Sequence, residues 1–313
     1  MPGATALTIG TFDGAHTGHA ALVRRARELA GPEGTVKALA FFPHPMTRLA
    51  PHRAPAVLTP LDEKTRLLRA LGADELVVLA PDDEFLALSA EEFVAQVARE
   101  HAPRWIVEGG DFRFGARRAG SVDTLRALSA ANHYEVVSVP DVELELADQS
   151  VVRASSTIAR WLIAHGRVAE AARVLGRPYR FFGTAAPGAQ RGRELGFRTA
   201  NLVPENLVPA EGVYAATAHL PGGGTRDAAI SIGTNPTFAR DDAAPVVAVE
   251  AHVLDWDGGG APDYGYRLPL DFHEWIREQR VYSDPAALVD QIERDVLRVR
   301  EACAAAAHEG SPA

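Results

Sequence analysis

Leu7-Thr8-Ile9-Gly10-Thr11-Phe12-Asp13-Gly14-Ala15-His16-Thr17-Gly18-His19 runs a short apolar strand into a glycine-rich turn and then directly into a helix. Gly10 and Gly14 let the backbone approach a ligand closely. Ala20 to Ala30, with Leu22, Val23, Ala26 and Leu29 on one face, has helical spacing. The helix therefore opens between Gly14 and His19, where unpaired N–H groups and the positive end of the dipole favour an anion. His16 and His19, three residues apart, point the same way from that first turn. The stretch reads as a phosphate site; the plainer reading is a histidine pair capping a turn.

A chain of 313 residues is long enough for two domains with separate cores. Its 47% hydrophobic and 23% charged residues describe a globular protein, and its net charge of -9 argues against a nucleic-acid backbone or an anionic membrane as the main partner. Cys303 is the only cysteine, which excludes an intrachain disulfide and a cysteine-based zinc site. Met1 to Gly3 leads straight into the first strand and no apolar run is long enough to span a bilayer, so the expected location is cytoplasmic.

Up to about Pro140 short apolar runs alternate with helical periodicity, which predicts an α/β domain with a parallel sheet. After the first strand, strands are expected at Val36–Phe42, Leu76–Leu79, Trp105–Val107 and Tyr134–Val139, with helices at Leu61–Leu71, Ala90–His101 and Val122–Asn132. Ligands in such sheets bind beyond the carboxyl ends of strands, near the reversal of strand order. At that edge lie the first turn, Phe41-Phe42-Pro43-His44-Pro45, and Gly109-Gly110-Asp111-Phe112-Arg113-Phe114-Gly115, whose two phenylalanines suit a flat ring. Each loop alone is equally well ordinary turn chemistry; three along one edge point to a shared site. Val152-Arg153-Ala154-Ser155-Ser156-Thr157 opens the helix Ile158–His165, either as a simple N-cap or as a cradle for a triphosphate beside Arg153. After the helix Val168–Leu175, Gly176-Arg177-Pro178 are stop signals, and the domain boundary is expected there, dividing the chain into 1–177 and 178–313.

GTFDGAHTGH resembles the HxGH signature of the nucleotidyltransferase superfamily, and its longer form is similar to the FMN adenylyltransferase half of prokaryotic bifunctional riboflavin kinase/FAD synthetases. GGDFRFG, VRASSTIAR and FFPHP extend the likeness, with Phe42 where the family commonly has Asp or Glu. The resemblance implies a Rossmann-like domain in which His16 and His19 are catalytic. Gly10, Thr11, Phe12, Asp13, Gly14, Arg153, Ser155, Ser156 and Thr157 would join them in binding ATP, and Pro43, His44, Asp111, Phe112 and Phe114 would bind the flavin.

From Tyr179 onward short strands at Tyr179–Thr184, Gly212–His219, Ala228–Ile232, Val246–Leu254 and Tyr266–Phe272 are joined by Gly, Pro and Asp-rich turns, the pattern of an antiparallel β-barrel or sandwich. A helix capped at Asp284-Pro285 closes the chain, with Leu288, Ile292, Val296, Val299 and Cys303 forming its apolar stripe and Ala304–Ala313 expected to fray. Three segments of this half resemble the riboflavin kinase barrel of the same family: residues 188–201 with its GR and TAN elements, Gly233–Phe238 (GTNPTF), and Val249–Asp255 (VEAHVLD). The resemblance implies kinase ATP binding at Gly188, Gly192, Arg193, Thr199, Asn201 and Asn235, and Mg2+ at Thr199 and Asn201. It makes Glu250 the base and places Arg277 and Tyr282 with Glu250 at the flavin. By strand position alone Glu250 reads as an outward-facing charge, and Arg277 and Tyr282 as surface charge and core packing.

Arg198 stands where the family has proline in PTAN, which gives up a fixed φ and sets a cation near the phosphates. Three readings follow: both activities, adenylyl transfer alone or on another substrate, and a flavin or nucleotide sensor without catalysis. The expected partners are small molecules (ATP, riboflavin, FMN, with FAD as product) and weak self-association, with neither nucleic acid nor membrane.

Overall fold

The computed structural model describes residues 3–188, 197–234, 247–280, 282 and 284–309, and the chain divides into two compact units, 1–156 and 157–313. In the first unit β1 (Thr5–Gly10), α1 (Thr17–Ala30) and β2 (Thr35–Phe41) are followed by α2 (Met46–Leu49), α3 (Leu61–Ala70) and β3 (Glu75–Leu79). Next come α4 (Asp83–Ala87), α5 (Ala90–His101) and β4 (Trp105–Gly109). A hairpin of β5 (Arg113–Phe114) and β6 (Gly120–Ser121) leads into α6 (Val122–Asn132) and β7 (Glu135–Val139), and a second hairpin, β8 (Glu143–Glu145) and β9 (Val151–Arg153), ends the unit.

Five strands form a parallel sheet in the order β3-β2-β1-β4-β7 among the described residues. Alternate side chains leave opposite faces. Leu7, Ile9, Leu39 and Ile106 pack with Phe93 and Val94 of α5 and Leu125 of α6 on one face. Ala6, Val36, Ala38 and Val107 meet Val23 and Ala26 of α1 and Leu68 of α3 on the other. Covering both faces is why these strands read as continuous apolar runs. The order reverses between β1 and β4, which pair only at Ala6↔Trp105 and Leu7↔Ile106. Beyond that point the Glu108 carboxylate oxygen accepts the N–H of Ile9 at 2.5 Å, taking the place of a ladder carbonyl where the strands part.

Glu108 is 2% exposed. Burial pushes its carboxyl well above the ordinary range, the Asp111 charge adds to the push, and the Ile9 N–H opposes it. A carboxyl raised by folding lends its full stabilisation below its unfolded value of about 4.5, and that contribution is withdrawn as pH climbs through the native value. Glu108→Gln keeps the accepting oxygen without the ionisation. It is expected to raise the thermal midpoint of the first unit by a few degrees at pH 8, where ~1 kcal/mol is worth about 2–4 °C, and by less at pH 5. Equal shifts at both pH values would show that Glu108 is already ionised in the native chain.

In the second unit α7 (Ser156–Ala164) and α8 (Val168–Leu175) precede a closed antiparallel barrel of β10 (Tyr179–Ala186), β11 (Ala200–Pro204), β12 (Gly212–His219), β13 (Thr225–Thr234), β14 (Val247–Val253) and β15 (Arg267–Arg277). α9 (Pro285–Glu309) follows. The barrel order is β10-β11-β14-β13-β12-β15. Tyr179, Phe181 and Tyr214 pack around Phe272 in its core. α9 lays Val299 and Cys303 on Val213 and Ala215. Across β10 and β15, Arg180 donates twice to Asp271 at 2.7 Å. Burial works against the Asp271 charge, but Arg180 and His219 outweigh it and hold the carboxyl at about 2.

The expected strands and principal helices of both halves are present. One expectation about an element is corrected. α9 continues to Glu309 rather than fraying from Ala304, because Ala304 to Ala307 is a run of the best helix former. Ala200–Pro204, for which the sequence predicts no element, is a strand with β10 and β14 as its neighbours. α8 buries Val168, Ala171, Val174 and Leu175 and packs on β10 and β15.

Candidate active sites

β1 ends at Gly10 and the chain turns through three left-handed residues, Phe12 (φ 47°), Gly14 (φ 83°) and Ala15 (φ 40°), before α1. This conformation is unfavourable for residues with a Cβ, and buried contacts hold it. The Phe12 ring is fully buried. The Asp13 carboxylate accepts the N–H groups of Leu58 (3.0 Å) and Thr59 (3.0 Å), and the Thr59 hydroxyl accepts the Gly14 N–H at 3.1 Å. Ser156 donates to the Asp13 carbonyl at 2.7 Å, and the buried Lys64 ammonium donates to the Thr11 carbonyl at 2.8 Å.

His16 is the N-cap of α1, and its Nδ1 accepts the N–H of His19 at 3.4 Å. With Nδ1 an acceptor, the proton of the neutral ring is on Nε2, which leaves that atom as a donor. The His16 and His19 rings stack with centroids 3.6 Å apart, and Phe12 meets His19 edge-on at 5.1 Å. A Cβ on Gly18 would lie 3.1 Å from the His16 ring, so the glycine between the two histidines makes room for the stack. The structure thus gathers Gly10 to His19 and Ser156 into one turn whose donors converge at a helix start.

Among the other expected residues of this unit, Asp111 and Arg153 form an ion pair at 2.7 Å, with Asp141 3.4 Å from the same guanidinium. Ser155 directly precedes α7, and Thr157 is exposed in its first turn. Pro43 is exposed, and His44 Nδ1 accepts the N–H of Met46 at 3.1 Å. Phe114 is buried at 4%, its ring 5.2 Å from Phe93, whereas Phe112 stacks on it from a half-buried position; of the two, Phe112 keeps ring surface at the edge. Lys64 and Thr59 went unnoticed in the sequence because their importance lies in partners 53 and 45 residues away. Lys64 also lies 5.2 Å from the Phe42 ring centre.

In the barrel, Asn201, Glu250 and Ser231 lie side by side on β11, β14 and β13. Gln279 donates to the Ser231 hydroxyl at 2.6 Å. A cavity of about 240 Å³ is lined by Gly188, Arg198, Thr199, Asn201, Trp256 and Tyr266 among others; of the row only Asn201 lines it, and β14 contributes Ala251 and Val253 rather than Glu250. Asn201 occupies the space over Gly188: a Cβ there would come within 1.8 Å of its amide nitrogen. Arg277 donates to the buried Asp295 of α9 at 2.7 Å through Nη2 and 3.0 Å through Nε, which ties the end of β15 to that helix. The Tyr282 hydroxyl is buried with no hydrogen-bond partner among the described residues. Gly192, Arg193 and Asn235 lie outside the described residues. Among the described residues no helix is long and apolar enough to cross a membrane.

Residues 1–154 match the FAD synthetase family model and residues 175–303 the riboflavin kinase model. The chain is 33% identical to a bifunctional riboflavin kinase/FMN adenylyltransferase of Listeria monocytogenes over 92% of this chain and 89% of that one. It is 34% identical to one from Pseudomonas fluorescens, over 96% and 94%. A crystal structure named as a macrolide-efflux protein from Streptococcus pneumoniae superposes with a TM-score of 0.82 at 29% identity, covering 96% of this chain and 95% of that one. With both halves matched in order and relatives aligned over nearly their full length, the chain belongs to the bifunctional riboflavin kinase/FMN adenylyltransferase family.

Proposed function

We infer that this chain makes FAD from riboflavin in two steps, phosphorylation to FMN in the barrel and adenylylation of FMN in the α/β unit, with functional domains 1–177 and 178–313. One observation carries the reading: each compact unit holds its own polar cluster, a stacked His16–His19 pair at a helix start in the first, and in the second Asn201, which lines a cavity and pairs in register with Glu250. In the first site an FMN phosphate oxygen attacks the α-phosphorus of ATP and pyrophosphate departs. The histidine N–H groups and the opening turn of α1 stabilise the charge that grows on the phosphate oxygens. Gly10–Gly14, Ser155, Ser156, Thr157 and Arg153 hold the triphosphate, while Pro43, His44, Asp111 and Phe112 take the flavin, with Phe114 supporting Phe112 from below.

In the barrel the ribityl 5′-hydroxyl attacks the γ-phosphorus, Glu250 accepts its proton and ADP leaves. Gly188, Gly192, Arg193, Thr199, Asn201 and Asn235 bind the nucleotide; Arg277 and Tyr282 border the flavin. Magnesium fits the donors present: Thr199 and Asn201 supply hard oxygens next to the cavity. Mg2+ needs few protein ligands when phosphates and water complete its shell. When bound it would neutralise charge on the transferring phosphate. Arg198 gives no support to the reading of an inactive barrel, because its guanidinium is held by the Asp257 carbonyl.

The reaction is tested by incubating the chain with magnesium and ATP plus riboflavin or FMN and resolving the products by chromatography. FMN and FAD are expected from riboflavin, and FAD from FMN. FAD from FMN alone would leave adenylyl transfer as the only activity, and bound flavin without either product would leave a sensor. Gly188→Ala forces the Asn201 amide from its place. It is expected to slow FMN formation by roughly 10²-fold, as an ångström-scale misplacement does, and to spare FAD formation from FMN; an unchanged FMN rate would remove Asn201 from the site.

A further inference from the structure

Arg198 joins two walls of the barrel cavity. Its side-chain Nη1 donates to the Asp257 carbonyl. Its guanidinium lies flat against Gly258, where φ is +90° and a Cβ would come 2.9 Å from Nη1 and 3.0 Å from Cζ and Nη2. The main chain at the same position is held from the other side: His252 Nδ1 donates to the Arg198 carbonyl at 2.8 Å, and the Phe197 ring packs edge-on against His252 with centroids 5.5 Å apart. His252 follows Glu250 by two residues on β14, so both leave the same face of that strand. The wall that Arg198 grips has its own internal order. Trp256 donates to the Gly259 carbonyl at 3.1 Å, the Asp257 carboxylate accepts the Gly259 N–H at 2.8 Å, and Trp256 meets Tyr266 edge-on. Residue 198 is therefore fixed at both its carbonyl and its guanidinium, directly before Thr199 and Asn201.

We propose that Arg198 is a positioning residue for the kinase nucleotide, a latch that orders Thr199–Asn201 and fastens the 256–265 wall over the cavity. It does from outside the backbone what a proline at this position does from within it, where ring closure restricts φ. A planar fork that fills the space over a glycine and donates to a carbonyl is a property of arginine that lysine lacks. The inference rests on the reading of the barrel as the kinase.

The test compares Arg198→Ala, Arg198→Lys and Arg198→Pro in the full chain. FMN formation is followed at varied magnesium-ATP, and amide hydrogen exchange across 256–265 is followed in ligand-free protein. Arg198→Ala is expected to raise the KM for ATP roughly tenfold, the worth of one charge-assisted hydrogen bond, with kcat within about twofold and faster exchange across 256–265. Arg198→Lys should behave like alanine, and Arg198→Pro should recover the KM. FAD formation from FMN stays unchanged throughout. A lysine variant with normal KM beside a proline variant that loses it would make Arg198 a direct phosphate ligand and overturn the latch, as would unaltered exchange in Arg198→Ala. If the unmodified chain forms no FMN, the kinase reading itself has failed, and the exchange measurement still decides whether the latch exists.

Discussion

His19→Ala is expected to lower the rate of FAD formation from FMN by roughly 10²–10³-fold, the usual cost of removing one preorganised donor from a charged transition state. FMN formation from riboflavin should be unaffected, because that chemistry belongs to the other compact unit. The loss should appear in kcat, since the proposed role of the ring is to stabilise charge that develops as pyrophosphate leaves. The fold supports a clean experiment. His19 lies in the first turn of α1, partly exposed, and the buried contacts that shape the loop come from Phe12, Asp13, Thr59 and Lys64. The melting temperature should therefore stay within a few degrees. Equal loss of both activities would mean one shared site and would end the two-site reading. His16→Ala makes the sharper comparison: it removes the N-cap acceptor of α1 as well as a ring, so it should also destabilise by about 1 kcal/mol.

The converse is expected of Glu250→Gln: FMN formation from riboflavin falls by about 10²–10⁴-fold, the range lost with a general base, while added FMN is still converted to FAD at the normal rate. Glutamine keeps the size of the side chain and leaves the backbone register with Asn201 and Ser231 intact. What is lost is the ability to take a proton from the ribityl hydroxyl. The KM for ATP should change little, because the proposed role of Glu250 is toward the hydroxyl and not the triphosphate. A variant that forms FMN at half the normal rate or better would assign Glu250 to the outward-facing charge that its strand position suggests.

Part of the framework around both candidate sites could be read along the chain. The strand–turn–helix at Leu7–His19 is a local object: its glycines, apolar run and helical spacing lie within two dozen residues, so local rules find it. The second half is legible only as an antiparallel barrel or sandwich, because alternating strands and turns do not name partners; strand pairing decides the closure. Less accessible was the support beneath each site. Asp13 faces Leu58 and Thr59 across 45 and 46 residues, and Glu108 reaches Ile9 across 99. Arg198 reaches Asp257 across 59. Arg277 reads equally well as a flavin contact or surface charge until α9 supplies Asp295. Phe112 and Phe114 look alike in GGDFRFG, yet one lies in the core and one at the sheet edge.

The linear order of residues was enough to specify two differently built halves, the glycine-rich turn with its paired imidazoles, and the alternation that sorts side chains between faces, because each depends on torsional preference and short-range periodicity. Folding alone decided which buried carboxylate meets which N–H, which arginine is held by a carbonyl, and where Asn201 comes to rest against Gly188. Those outcomes depend on which distant segments become neighbours once apolar surface is removed from water, and a buried polar group must then take its partner from whatever segment packing has brought within reach.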